Sequence, residues 1–147
     1  NNYGKLLLQS GRAAEALPVL AEAAVMGARF AGVGSMHHVA ALSGMADVQL
    51  LAGETATAEK TAREAIAAAD QRLGRGHPGT ASPRLSLARV HAARGEGRQV
   101  LALLDEVDAI ATAVGPAAQR LAAQSTHLRA QVSPASAPAA QTTTPAP

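Results

Sequence analysis

The sequence predicts an all-α fold, a stack of about three helical hairpins closed by a capping helix, and three observations carry that prediction. Among 147 residues there are 37 alanines and 16 leucines, but one tyrosine, one phenylalanine and no tryptophan. Alanine is the best helix former, whereas sheets draw on β-branched and aromatic side chains. A pattern also recurs: YGKLLLQSGRAAEALPVLAEA from Tyr3, MADVQLLAGETATAEKTAREA from Met45 and LARVHAARGEGRQVLALLDEV from Leu87 align with their turn glycines Gly11, Gly53 and Gly95, each 42 residues after the last. Apolar residues beyond each glycine then return at three- and four-residue steps, as in Ala58, Ala62, Ala65 and Ala69 or Val100, Leu104, Val107 and Ala111. That spacing is one face of an amphipathic helix.

The elements follow in order. The first unit, residues 1–31, pairs a helix over 2–9 with one over 13–26, in which Pro18 costs a hydrogen bond softened by its place near the start. The second, 32–73, pairs 36–51 with 55–72 after the connector AGVGS. The third, 74–115, pairs 82–94 with 97–114 after LGRGHPG, where Pro78 and Pro83 block helix and suit a first turn. Gly11, Gly53 and Gly95 sit where one helix ends and the chain reverses, a place for positive φ. Gly115-Pro116 stops the last hairpin, and residues 116–131 form a cap whose Gln119, Arg120, Gln124, Ser125 and Arg129 give it a polar exterior. Residues 132–147, VSPASAPAAQTTTPAP, carry no charge and four of the eight prolines, so they read as a disordered tail or linker.

Small residues recur where helices must cross closely: Gly4, Ala46 and Ala88 in one register, Ala16 and Ala58 in another, Ala23 and Ala65 in a third. Two further registers hold Leu7, Gln49 and His91 in one and Leu20, Ala62 and Leu104 in the other.

Composition excludes several functions. With no cysteine there is no disulfide framework, zinc finger, iron–sulfur cluster or thiol nucleophile. No apolar run approaches the ~20 residues of a membrane span, and a cytoplasmic location is expected. The formal net charge is +2, a weak footprint for nucleic acid, which is not an expected partner. Six arginines between Gln71 and Gln99 face one acid, Glu96, and read mainly as a solvated face. The excess of arginine over lysine fits a GC-rich bacterial gene, and the absence of an initial methionine reads as a fragment or trimmed chain. Of the five histidines, His37 and His38 point about 100° apart on a helix, His77 lies in a connector and His91 in a core register; with His127 they make no metal site. Asp105, Glu106 and Asp108 crowd one helix and do not face each other across a cleft as paired-acid catalysis requires. GRGHPG lacks the lysine, the serine or threonine and the preceding strand of a phosphate loop. No cofactor and no enzymatic activity are expected.

LGRGHPGTA at 73–81, LARVHAARG at 87–95 and GRAAEALPVLAEA at 11–23 together resemble the tetratricopeptide repeat, in its kinesin-light-chain-like 42-residue variant. The resemblance implies a right-handed superhelix whose first helices line a concave groove for a peptide or a partner helix. Asn2 matches an asparagine that such repeats use to hold an extended peptide, but Gly44 and Ser86 follow it in register and do not continue the ladder. The carboxylate clamp of chaperone-tail binders is absent too, since its registers read Asn1, Lys5, Gly44, Ser82 and Ser86. By register the groove candidates are Asn1, Asn2, Lys5, Gln9, Ser43, Asp47, Ser86 and Arg89, each weighed against an ordinary solvated helix face. Arg89 suits an acidic or phosphorylated group, with a structural salt bridge as the competing role. The function implied is a protein-interaction scaffold. The alternative is the C-terminal regulatory segment of a larger bacterial signalling enzyme such as a Ser/Thr protein kinase.

Overall fold

The computed structural model describes residues 13–132. The expected helix over 2–9, the turn at Gly11, and all of the expected tail but Val132 lie outside the described residues. Within them are six α-helices and two short 3-10 turns. We label the helices α1 (Ala13–Ala31), α2 (Met36–Leu51), α3 (Thr55–Leu73), α4 (Ala81–Ala93), α5 (Gly97–Val114) and α6 (Gln119–Val132).

Two reversals one period apart are the same turn. Gly53 and Gly95 take φ of 80° and 73°, the positive φ expected of them. Glu54 N–H donates to the Gln49 carbonyl and Glu96 N–H to the His91 carbonyl, each closing a helix end. The residues that start α3 and α5, Glu54 and Glu96, share a backbone conformation of φ −81°, ψ 57° and φ −86°, ψ 60°. The period in the sequence is therefore a period in the backbone.

The boundaries depart from the sequence expectation most at three places. Helix α1 runs five residues past Met26, straight through Gly27. That glycine is there for proximity, because a Cβ on it would lie 2.7 Å from the His38 amide nitrogen of α2. The start of the third hairpin is a 3-10 turn at Pro78–Thr80 leading into α4, with Pro83 in the first α-turn. The cap opens with a 3-10 turn at Gly115–Ala118 and continues through Val132, a residue assigned above to the tail.

Helix α4 packs on both α2 and α6, so α2, α4 and α6 form one layer. Helix α1 packs on α2, α3 on α2 and α4, and α5 on α4 and α6, forming a second layer wedged against the first. The seams follow the predicted registers: Ala16, Ala46, Ala58, Ala65 and Ala88 are wholly buried, as are Leu20, Ala62 and Leu104. Ala16, Leu20 and Val48 form one apolar cluster, Ala24, Ala41, Leu42 and Ala65 the next, and Ala46, Ala62 and Leu87 a third. Around α5 the residues are larger: Leu85, Val100, Leu104, Val107 and Leu128 pack with Ala88. Two polar expectations are corrected. Ser125 of the cap is fully buried rather than exterior, and Arg84, from the arginine run read as solvated, is 1% exposed. Arg84 sits where successive helices meet.

Candidate functional site

The groove candidates among the described residues all fall on the α2–α4–α6 layer. Ser43 and Ser86 are buried where α2 meets α4: Ser43 Oγ donates to the Val39 carbonyl at 2.8 Å, and Ser86 Oγ reaches the Ser43 carbonyl at 3.4 Å. Their hydroxyls are engaged in joining two helices. Asp47 and Arg89 are half-buried, and Arg89 Nη1 donates to both carboxylate oxygens of Asp47 at 3.2 Å. The structure thus brings four of the eight candidates together on adjoining helices; Asn1, Asn2, Lys5 and Gln9 lie outside the described residues.

A denser polar constellation lies at the other end of α4. Arg84 donates through Nη1 and Nη2 to Asp70 at the end of α3, at 2.9 and 2.8 Å. Its Nε donates to Glu106 of α5 at 2.6 Å, and Nη1 also reaches the Thr80 carbonyl at 3.0 Å. One guanidinium therefore ties three helices, using the fork geometry that lysine lacks. The hydrogen bond from Arg84 holds the Glu106 carboxyl below the usual carboxylate range, against the opposing effect of burial. Burial works against the charge on Arg84, but its hydrogen bonds to Asp70 and Glu106 outweigh it and raise its pKa. Arg75 caps the cluster from solvent, 3.3 Å from Glu106. Sequence reasoning missed this site because its members are 14 and 22 residues apart and share no helix. The usable signal was an arginine on the apolar side of α4, flanked by Leu85 and Pro83.

Other charged groups are also taken up in helix-to-helix ties. Arg129 of α6 donates to Asp105 and Asp108 of α5 at 2.8 Å each. Arg94 at the end of α4 bonds Glu59 of α3, whose carboxyl is lowered chiefly by its hydrogen bond from Arg63 and then by that from Arg94. Three histidines make local bonds, two of them to backbone amides. His38 Nδ1 accepts from the Gly34 amide at 3.1 Å, His77 Nδ1 accepts from the Gly79 amide at 3.0 Å, and His91 Nδ1 pairs with Glu96 across the turn. Among the described residues no group of three histidines or acids is placed to hold a metal ion. No described helix is long and apolar enough to cross a membrane.

No protein-family model and no curated protein matches the chain. Solved structures do. The crystal structure of a Podosopora anserina protein described as a kinesin light chain, with nearly identical TPR-like repeats, superposes with a TM-score of 0.73 at 21% identity. A point variant of that protein gives 0.72 at the same identity. Each comparison covers 89% of this chain and 62% of the other. The fold is a TPR-like helical repeat.

Proposed function

We propose that this chain is a non-catalytic protein-interaction module that holds a peptide or a partner helix along its α2–α4–α6 layer. The observation that supports this reading is the Asp47–Arg89 pair, a half-exposed charge pair at one register of two successive first helices. On the same layer Ala40 and Ser82 are short and not buried, which leaves room for a backbone to lie close. A stack of rigid hairpins loses little ordering entropy on binding, so a pre-formed surface of this kind binds without refolding. Lys5 continues the register of Asp47 and Arg89 one period earlier; Asn1, Asn2 and Gln9 extend the same face in this proposal. Residues 1–132 are taken as the array and 133–147 as a linker.

The test is affinity capture with the intact chain, repeated with Asp47→Ala, Arg89→Ala and Lys5→Ala. Partners lost with Arg89→Ala but kept by a surface control such as Arg63→Ala support the groove. Capture that is identical for all variants moves the binding surface elsewhere and ends this reading.

A further inference from the structure

The connectors that lead into α2 and into α4 are held differently. Before α2, a Cβ on Gly32 would lie 2.9 Å from Arg72 Nη1 and one on Gly34 would meet the Ala68 carbonyl, so α3 packs directly on the loop. Before α4, Gly74, Arg75 and Gly76 are exposed, and a Cβ on Gly74 or Gly76 would meet nothing within 4 Å. The bonding of this stretch divides at one residue. Gly74 N–H donates to the Asp70 carbonyl of α3. The Gly74 carbonyl instead accepts from His77 N–H, and the Arg75 carbonyl from Thr80 Oγ1, next to α4. The Arg75 side chain reaches Glu106 of α5 at 3.3 Å and lies farther, at 3.8 Å, from Asp70. The two torsions of Gly74 therefore separate a chain bonded to α3 from a chain bonded to α4. They stand at φ 84° and ψ 145°, a conformation that glycine adopts without steric cost.

Across the seam that Gly74 joins, the ties run between charges. Arg84, Arg89 and Arg94, five residues apart along α4 and its end, bond Asp70, Asp47 and Glu59 of the preceding hairpin. The apolar part of the seam is made of Ala46, Ala62 and Leu87, flanked by Ile66 and Leu103. The ties are graded. Arg84 is buried, and its partner Asp70 lies four residues from Gly74, so a rotation there moves this pair least. Arg94 stands ten residues further on, about 15 Å along the helix axis, and its side chain and that of Glu59 are partly exposed. Salt shortens the reach of exposed charges, from about 10 Å at 0.1 M to about 3 Å at 1 M, and screens buried pairs far less. We propose that α1–α3 and α4–α6 are two bodies hinged at Gly74, and that Arg94 on Glu59 is the latch at the far end, released by rising ionic strength. Asp47 and Arg89 face each other across the same seam, so release widens the gap between α2 and α4. The inference stands on the seam and not on the groove reading.

The chain has no cysteine, so spin labels go only where cysteines are placed. Thr57→Cys on α3 with Gln99→Cys on α5 reports the latch end. Glu22→Cys with Glu64→Cys reports α1 against α3, and all four side chains are exposed. Raising NaCl from about 0.1 to about 1 M should shift the 57–99 distance distribution, read by double electron–electron resonance, to longer values. The 22–64 distribution should stay in place. Arg94→Gln should give the long 57–99 distance already at low salt. Arg63→Gln, which removes the same charge and the partner of Glu59 within α3, should not. Arg94 and Arg63 are both exposed, so circular dichroism of each variant should match the parent, and the salt titration of the labelled parent needs neither. A 57–99 distance unmoved by salt and by Arg94→Gln overturns the proposal. Equal lengthening of both label pairs also overturns it, as a general loosening. So does an equal response to Arg94→Gln and Arg63→Gln, which would make net charge the cause.

Discussion

Arg89 is hydrogen-bonded to Asp47, the residue that occupies its own position one 42-residue period earlier. Equivalent sites of successive repeats have diverged to opposite charge and meet between α2 and α4. Asp47→Arg should destabilise by bringing like charges together. The swap Asp47→Arg with Arg89→Asp should restore most of the loss, with a coupling of about 0.2–1 kcal/mol for a pair this exposed. Urea midpoints of the double-mutant cycle measure it, and zero coupling would mean that the pair holds nothing together.

Arg84→Ala should cost more, about 2–3 kcal/mol. That is below the value for a fully buried pair, because Asp70 and Glu106 keep side-chain exposures of 23% and 41% and can rehydrate. Arg84→Lys should recover part of it, limited by the lost fork to Asp70. Equal midpoints for wild type and Arg84→Ala in urea unfolding would refute the role assigned to this side chain.

Acid should loosen the array through the same cluster. Glu106 and Glu59 both titrate below the usual carboxylate range in the folded chain. A depressed carboxyl contributes stability that is fully present above its unfolded pKa and is lost as pH falls through the folded one. Melting temperature should therefore drop as pH falls below about 5, where unfolded glutamates begin to take up protons that the native ones refuse. Glu106→Gln should flatten that slope while lowering stability at neutral pH. A slope unchanged by Glu106→Gln would remove Glu106 from the account.

Two glycines with similar φ should respond differently to alanine. Gly53 and Gly34 have φ of 80° and 77°. A Cβ on Gly53 meets nothing within 4 Å, so Gly53→Ala carries only the cost of positive φ, about 1 kcal/mol. A Cβ on Gly34 would meet the Ala68 carbonyl and lie 2.8 Å from Arg72 Cβ, so Gly34→Ala must also push α2 away from α3. It should cost about 2 kcal/mol more than Gly53→Ala in thermal or urea unfolding. Equal losses would show that the connector is free to shift.

The architecture was legible in the sequence because it is periodic. Helix α2 and helix α5 occupy their expected limits of 36–51 and 97–114, and the alanine registers at 16, 46, 58, 65 and 88 are buried as a 42-residue shift requires. What was not legible depends on pairs from different helices. Gly27 reads locally as a helix stop and is instead a point of close approach to His38. Arg84 reads as one of six surface arginines until Asp70 and Glu106 are brought beside it. Ala23 shares the register of Ala65 yet is only half-buried, packed on the edge of the cluster of Ala41, Leu42 and Ala65 rather than inside it. Of the groove candidates, the helices that carry Ser43, Asp47, Ser86 and Arg89 were readable, but Ser43 and Ser86 were not readable as buried. A serine hydroxyl that bonds a backbone carbonyl satisfies itself inside a helix seam, and hydropathy alone leaves it outside.

The unequal filling of the two outer helices sets an order of failure under load. At matched registers α3 presents Ala58, Ala62 and Ala65 where α5 presents Val100, Leu104 and Val107, all fully buried. At about 0.8 kcal/mol per buried methylene that difference favours the second half by several kcal/mol before its ionic ties are counted. Pulled from both ends, the molecule should peel from the α1 side inward, with α4, α5 and α6 the last piece to give way.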